Sequence, residues 1–453
     1  MPASRPASRA AALSCALAAA LLAPTRAAGA QTARLRPDSL PATPPATATT
    51  AAAVPIVFSG EVRTRSERDH PNGARADAFT YLRSRFGVRV DPAPGARVVL
   101  QVQDSRVLGA EGNAAAAPAE QLDLHQGYVE LSAPWRGVRA AARVGRQEIA
   151  LGNERLVGAV GWSNVGRSFD GARVLLAPDG AKPGAEPWTA TAFAATVEER
   201  GARFGAAGPA AKAADHAVVG AFVTRALGRG AVEATALYDA GGRYRGYADA
   251  NRATLDARLR APRLLGLSVE LEGALQVGRQ SDAADTANVR AQRVRAWLLG
   301  ARLGTPAAPA RRAAAAVGVD VLSGDATPHD GRYTAFGTAY ATNHPFYGLM
   351  DVIGDPAATT RERGLVDALA TGSLKLGGAL ALKGELHRFT LATGAGRDLG
   401  WEGDVTLPVR LTPAAGVELG YSAFRAGRDA AAAGLGAEGT VRDWGYLQLR
   451  VAF

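Results

Sequence analysis

Most of this chain alternates polar and apolar residues at every second position, and this alternation limits its fold more than any other feature. It is visible in the segments 56–65, 81–90, 254–260, 267–278 and 401–410. Side chains of a β-strand point alternately to its two faces, so a period of two with one apolar face predicts strands that meet apolar surroundings on one side only. No helical period of useful length occurs, and the pattern predicts an all-β protein.

The connections between these segments predict how the strands are arranged. Short connections such as 227–230 and 261–266 alternate with long polar ones such as 153–170, 323–363 and 425–442. Turns at one end and long loops at the other are typical of a transmembrane, antiparallel up-and-down β-barrel. A soluble β-sandwich also alternates, but about 400 residues of continuous meander are long for one soluble sheet domain.

The last residues of the chain also favour the barrel. Leu447, Leu449, Val451 and Phe453 share one face of the last predicted strand, and the chain ends on the aromatic residue. A terminal aromatic residue on such a strand is the signal that we associate with the barrel-assembly machinery. We therefore expect that machinery and outer-membrane lipid as partners, and a multi-pass β-barrel in the outer membrane of a Gram-negative cell.

The first residues are predicted to direct export. Residues 1–30 combine a basic start, a short apolar run and a small-residue cleavage site, which together predict a cleaved signal peptide. Residues 31–55 are rich in Pro, Ala and Thr and predict a disordered periplasmic linker, which leaves 56–453 for the barrel. The only cysteine, Cys15, lies in the signal segment, so we expect no disulfide and no thiolate metal site in the mature chain.

The basic charge of the chain has two interpretations. The formal net charge is +10, and a basic balance can indicate nucleic-acid binding. The export signal and the lack of basic runs with interleaved aromatic residues argue against that partner. Nearly all the basic residues are arginine, which together with abundant alanine also fits a GC-rich genome. Codon usage therefore stays an alternative to selection for guanidinium chemistry.

An ordered series of short motifs runs along the predicted barrel. The motifs occupy 126–131, 144–156, 162–171, 344–351 and 400–404. Taken singly they are weak, but in this order the series resembles the alginate-export family of outer-membrane porins, and the resemblance extends over 56–453. It implies a monomeric barrel of about eighteen strands, with sixteen as the alternative. It also implies a narrow, arginine-rich lumen that passes an anionic uronate polysaccharide outward.

The resemblance does not determine the solute, and three other functions stay open. The first is a general diffusion porin for small anions, which would differ only in pore size and in how its loops fill the pore. The second is a barrel enzyme such as a lipid hydrolase, and the third is a soluble periplasmic glycan binder.

The polar face of the predicted strands, together with the motifs, supplies the candidate pathway residues. Guanidinium groups in a narrow pore attract carboxylates or phosphates, and rings of like charge set ion preference. The alternative is that charged ladders only brace the wall. The predicted lumen residues are Arg63, Arg65, Arg83, Arg85, Arg89, Arg143, Arg146, Arg155, Arg167, Asp170, Arg258, Arg295, Glu272 and Asp320. Arg139, Arg260 and Arg293 are predicted to share that face, as are Glu61, Asp256, Glu270, Glu385, Glu402 and Asp404.

We expect no catalytic residues, no cofactor and no metal site. The six histidines are scattered without metal-ligand spacing, and no Gly-x-Ser-x-Gly elbow occurs. Ser–His–acid chemistry stays open, because spatial neighbours need not be close in sequence. Plausible membrane-interface aromatic residues are Trp135, Trp188, Trp401, Trp444, Tyr421 and Tyr446.

Overall fold

The structure is a computed structural model of the chain. It describes residues 54–70, 77–108, 122–182, 184, 186–198, 216–241, 250–281, 291–306, 311–328 and 330–453. The predicted signal peptide and nearly all of the predicted linker lie outside these residues and stay predictions.

The described chain is almost entirely β-strand. The strands are β1 Ile56–His70, β2 Asp77–Ala93, β3 Ala96–Leu108, β4 Asp123–Trp135, β5 Val138–Gln147, β6 Phe169–Pro178, β7 Trp188–Glu198, β8 His216–Leu227, β9 Gly230–Ala240, β10 Asn251–Leu264, β11 Leu267–Ser281, β12 Ala291–Gly304, β13 Ala313–Leu322, β14 Arg332–Tyr333, β15 Leu365–Lys375, β16 Ala381–Leu391, β17 Asp398–Arg410, β18 Ala415–Ala426 and β19 Val441–Ala452. Helix α1 spans Pro356–Thr359, and a 3-10 turn spans Ala430–Ala433.

The strands form one closed barrel. Each wall strand pairs antiparallel with its neighbours in sequence, and β1 pairs with both β2 and β19. Strand β14 belongs to a loop and pairs in parallel with the start of β12, so eighteen strands make the wall. The predicted eighteen-stranded up-and-down barrel is confirmed.

The outer face of the wall is apolar. Phe58, Leu271, Leu299, Val405 and Leu447 are all exposed there, each alternating with an inward side chain. Such a band of exposed large apolar residues is stable only against lipid, where closed pairing also satisfies every backbone group. Among the described residues, no helix has both the length and the apolar character needed to cross a bilayer.

The aromatic prediction is only partly correct. Trp135, Trp401 and Tyr421 are exposed on the outer face. Trp444 and Tyr446 are buried on the inner face, so a membrane-interface role is wrong for these two. They point inward because both pack edge-on against Trp162, a residue of a loop inside the barrel.

The two ends of the barrel differ. Short turns join β2 to β3, β4 to β5 and β10 to β11 at one end, which we call the turn end. At the β10–β11 turn, Leu265 and Gly266 both have positive φ, as a tight hairpin turn requires. The other end carries the long connections. Two of these, loop A (148–168) and loop B (323–328 and 330–364), fold into the lumen.

Candidate functional site in the barrel lumen

Loops A and B contact each other inside the barrel. The backbone N–H of Gly158 donates to the carbonyl of Tyr340 at 2.9 Å, and the N–H of Tyr340 donates to that of Leu156 at 2.8 Å. A further bond, 2.9 Å long, runs from the Thr342 N–H to the Glu154 carbonyl and adds to the contact between the loops. Because the loops leave opposite arcs of the wall, their pairing bridges the lumen.

An apolar core fills the lumen at the level of the two loops. Leu156 and Val157 of loop A and Phe336, Phe346 and Ile353 of loop B are buried in one cluster. The inner wall meets them with apolar side chains of its own, among them Phe193, Leu298, Leu365, Phe389 and Phe424. The inner face is therefore polar near the turn end and apolar where the loops pack.

This core explains an error in the predicted lumen residues. On β12 the buried inward residues are Val294, Ala296 and Leu298, and they alternate with Arg293 and Arg295. The two arginines are therefore on the outer face, and the prediction that they line the lumen is wrong. Side-chain polarity predicts the wrong inner face for this strand, because apolar loop residues, and not water, contact that face.

Arg146 and Asp170 were also predicted in the lumen, and this is wrong as well. They are directly opposite each other in β5 and β6, on the same face as the exposed Val144 and Val174. Their side chains form a partly exposed ion pair at 2.7 Å. Both belong to strand ends and not to the inward loop, so they lie at the outer rim near the long-loop end.

Arg155 anchors loop A to the far wall. The fully buried guanidinium lies 3.0 Å from Glu272 of β11 and 2.9 Å from Asp320 of β13, and it donates to the Tyr347 hydroxyl at 3.1 Å. Its charge also lies over the Phe346 ring at 4.1 Å. Burial alone would lower the pKa of Arg155, but Tyr347, Asp320 and Glu272 together raise it, so the guanidinium stays charged.

Arg63 and Arg83 hold the other side of loop A. The two residues are directly opposite in β1 and β2, and both donate to the carbonyls of Gly161 and Ser163 over distances of 2.8–3.2 Å. Like charges in facing positions repel each other. The shared carbonyl oxygens and the Glu61 carboxylate, 2.6 Å from Arg83, offset that repulsion.

Two further arginines fix the loops in place. Arg65 donates to the Trp162 carbonyl at 2.7 Å and lies 3.8 Å from the centre of its ring. Arg167 of loop A donates to the carbonyls of Tyr340 and Ala341 in loop B. These side chains, predicted as pathway residues, serve as braces for the loops.

The structure brings a serine, a histidine and a glutamate together at the ends of loop A. His125 Nε2 is 2.7 Å from Glu148, and its Nδ1 is 3.4 Å from the Ser168 hydroxyl. The hydroxyl donates to the His125 carbonyl at 2.6 Å, so its proton is not directed at the imidazole. Arg85 adds an ion pair to Glu148 at 3.1 Å. This geometry favours closing the base of the loop over nucleophilic catalysis, which needs the hydroxyl to donate to the base.

The remaining predicted residues lie on the inner wall. Arg143 pairs with Glu130 at 2.7 Å, and Arg258 pairs with Glu233 at 2.7 Å. Arg89 is nearer the turn end, with 42% of its side chain exposed and Asp91 at 3.4 Å.

Charge is divided between two sides of the inner wall. Two rows of neighbours cross the basic side, Arg450–Arg63–Arg83 over β19, β1 and β2, and Arg97–Glu130–Arg143–Arg173 over β3 to β6. Acids outnumber bases from β9 to β17. The inward acids are Glu233, Asp239, Asp256, Glu270, Glu272, Asp320, Asp367, Glu385, Glu402 and Asp404, and the inward bases are Arg252, Arg258, Arg260, Arg302, Lys375, Lys383, His387 and Arg410. We call these the basic wall and the acidic wall.

A cavity of about 660 Å³ lies between the loops and the basic wall near the long-loop end. Its lining includes Arg65, Arg442, Tyr81, Trp162 and Asp351. Sequence reasoning missed the way these residues converge, because no local pattern predicts which wall residues a long loop will contact.

A closed antiparallel barrel with an apolar outer face, a charged interior and loops folded into its lumen defines an outer-membrane porin-like channel. The alginate-export family model matches residues 54–395. The chain therefore belongs to the alginate-export family, as its motifs suggested, and is a multi-pass barrel of the outer membrane.

Solved structures show the same fold. OccK8 (OprE) of Pseudomonas aeruginosa is 13% identical with a TM-score of 0.57, over 88% of this chain and 98% of that one. OccK11 (OpdR) of the same organism is 15% identical with a TM-score of 0.55, over 88% and 96%. The outer-membrane protein OpdK, also from that organism, is 12% identical with a TM-score of 0.53, over 88% and 99%. No curated protein matches the chain.

Proposed function

We propose that the barrel gives anionic solutes a passive passage along its basic wall, and that its substrate class is an anionic polysaccharide such as alginate. The observation that carries this proposal is the pair of arginine rows. Three arginines occupy directly opposite positions over β19, β1 and β2. Three more share a row with one glutamate over β3 to β6, where Arg143 and Arg97 lie 2.7 and 3.9 Å from Glu130. Rows of like charge in a narrow pore favour the opposite ion.

Unsatisfied donors on the basic wall support an anionic ligand. Arg139 is buried near the turn end, with Glu186 3.7 Å from one terminal nitrogen, and its Nε has no hydrogen-bond partner among the described residues. The Nε atom of Arg63 also has no hydrogen-bond partner among the described residues. A guanidinium offers a planar fork of donors that suits carboxylates, and uronate units carry one carboxylate each.

Ion selectivity tests the proposal. The triple variant Arg89→Gln, Arg97→Gln and Arg450→Gln removes charges that face lumen water near the turn end and leaves the loop contacts of Arg63, Arg65 and Arg83 in place. In planar bilayers under a salt gradient, we expect its reversal potential to shift in the direction of lower selectivity for anions over cations.

The matched control is Arg295→Gln, which removes the same charge from the outer face. We expect this variant to keep the wild-type reversal potential. If the triple variant also keeps it, the arginines only brace the wall. Block of the current by an oligouronate but not by its monomer distinguishes a polysaccharide passage from a small-anion porin.

We also infer that the channel works without a catalytic step. The support is the Ser168 hydroxyl, which donates to a backbone carbonyl and not to the imidazole of His125. An esterase assay on the purified barrel tests this inference, with Ser168→Ala as the control. Turnover in the wild type that is lost in Ser168→Ala would establish the hydrolase instead.

A further inference from the structure

A histidine on the acidic wall has four carboxylates around it, contributed by three adjacent strands. His387 and Glu385 belong to β16, Asp367 belongs to β15, and Glu402 and Asp404 belong to β17. Glu385 is directly opposite Asp404, and His387 is directly opposite Glu402. Alternation places all five side chains on the inner face. They lie next to Phe389 of the apolar core, on its side toward the turn end.

Three of these residues are close enough to share one ion. One donor atom each from Glu385, His387 and Asp404 lies within 4.8 Å of the others. The Nε2 atom of His387 is 3.6 Å from a Glu385 oxygen. Ligand distances to zinc are about 2.0–2.2 Å for both nitrogen and oxygen, so atoms at this spacing can surround one cation after small side-chain movements.

The fourth carboxylate orients the imidazole. His387 Nδ1 lies 2.9 and 3.1 Å from the two oxygens of Asp367, which makes Nδ1 the protonated nitrogen. When the imidazole is neutral, Nε2 carries the lone pair that a metal ion requires, and this atom lies 3.6 Å from a Glu385 oxygen. In metalloproteins a carboxylate behind a ligating histidine fixes the tautomer and the ring orientation in this way.

Buried polar atoms of the cluster lack partners. His387 and Asp404 are 1% and 2% exposed, and Nε2 of the former and both oxygens of the latter have no hydrogen-bond partner among the described residues. Glu402 accepts from the Met350 N–H at 2.9 Å with one oxygen, while its other oxygen has none. A buried carboxylate without a partner is costly unless a proton or a counter-charge neutralises it, and a bound cation would supply that charge.

Other acids of the same wall are already neutralised. Asp320 is held by Arg155 and Arg302, and Glu233 is held by Arg258. Within the described part of the chain, no arginine or lysine forms a salt bridge with Glu402 or Asp404. The cluster therefore differs from its neighbours because, among the described residues, neither of these two acids has an arginine or lysine partner.

We propose that His387, Glu385 and Asp404 bind one divalent transition-metal ion, with Asp367 as the positioning residue behind the histidine. One imidazole with carboxylates suits zinc better than the all-oxygen sets that calcium and magnesium prefer. The ion has a route in, because 33% of the Glu385 side chain is exposed. The site is independent of the solute that the channel carries.

Zinc binding to the folded chain in detergent tests the site. We expect one zinc per chain by isothermal titration and by elemental analysis after dialysis. Cobalt as a probe should give the absorption bands of a nitrogen–oxygen site. His387→Gln and Asp404→Asn should each weaken zinc binding by at least about tenfold, and Asp367→Asn, which keeps all three ligands, by about 10–100-fold.

His70→Gln is the matched control. His70 also carries an aspartate on Nδ1, at 2.9 Å, but it lies at the long-loop end of β1 outside the cluster. This variant should bind zinc as the wild type does. Heat-modifiable migration on gels shows that each variant is folded. No zinc binding by the wild type, or zinc binding that persists in folded His387→Gln and Asp404→Asn, would overturn the site.

Discussion

At the scale of single residues, Arg155 has more structural consequence than any other predicted pathway residue. Its guanidinium reaches from loop A to two strands of the opposite wall and satisfies Glu272 and Asp320 at once. Asp320 keeps Arg302 at 2.8 Å when Arg155 is removed, while Glu272 keeps, among the described residues, the Asn153 amide at 2.9 Å. Loss of the arginine therefore leaves Glu272 as the poorly compensated buried charge.

We predict that Arg155→Gln lowers the free energy of unfolding by about 3–5 kcal/mol, the usual cost of removing one partner from a buried ion pair. Urea unfolding in lipid vesicles measures this. Arg146→Gln removes a guanidinium from an ion pair at the outer rim and should cost less than about 1 kcal/mol. Equal losses in the two variants would contradict the anchoring role of Arg155.

Glu148 makes the base of loop A sensitive to acid. Burial would raise the pKa of this carboxyl, but the hydrogen bond from His125 and the charge of Arg85 lower it below its ordinary value of 4.5. A carboxyl with a lowered folded-state pKa stabilises the fold above its unfolded pKa, and this stabilisation is lost as the pH falls through the folded value.

We therefore predict that the wild type loses more stability than Glu148→Gln as the pH is lowered from about 6 to about 3. The urea midpoints of both chains at the two pH values measure the difference. Other carboxyls titrate in both chains, so only the gap between them reports on Glu148. Parallel pH profiles would show that the carboxylate does not hold the loop.

At the scale of elements, alternation predicts the faces of strands that border water and fails where loops replace the water. In β10 and β11 the polar residues Arg258 and Glu272 lie on the inner face as their alternation predicts. In β12 the apolar Leu298 points inward and Arg295 outward. Parity alone gives two faces, and the surroundings of each face follow from contacts made elsewhere in the chain.

The loop contacts depend on residues that are far apart in sequence. Arg155 and Asp320 are separated by 165 positions, and Arg63 and Gly161 are separated by 98. Local patterns carry no information on such pairs. The sequence therefore predicts the barrel and many inward charges. The packing of loops A and B in the lumen and the cluster around His387 depend on contacts that form only in the closed barrel.

The pairing of Arg63 and Arg83 with the loop A carbonyls leads to a test at this scale. We predict that the double variant Arg63→Gln and Arg83→Gln loosens loop A from the basic wall, since each lost charge-assisted hydrogen bond contributes about 1.5–3 kcal/mol. Its mean single-channel conductance should rise. Arg146→Gln serves as the control. An unchanged conductance in the double variant would show that Arg63 and Arg83 do not hold loop A against the basic wall.

At the scale of the whole molecule, closure depends on the contact between the first and last strands. Beyond the β1–β19 ladder, the Gly60 N–H donates to the Phe453 carbonyl at 2.9 Å, and the Phe453 N–H donates to the Gly60 carbonyl at 3.0 Å. The Phe453 ring covers Gly60 so closely that a Cβ there would lie 2.3 Å from a ring carbon. The terminal residue thus belongs to the seam of the barrel.

We predict that deletion of Phe453 reduces the amount of heat-modifiable barrel in the outer membrane, because it removes two seam hydrogen bonds together with the aromatic residue that we expect the assembly machinery to bind. Phe58→Leu, a change on the same outer face, should assemble normally. Wild-type levels of the deletion variant in membrane fractions would contradict this role.

Under the proposed function, the separation of basic and acidic walls also affects how charge is balanced during transport. A polyanion moving along one side of the lumen would leave the opposite side attractive to sodium or potassium, so its counter-ions could travel beside it. Such paired movement transfers little net current even when polymer flux is high. Electrical recordings alone would then underestimate the flux of material, and a chemical assay of the released polymer would reveal it.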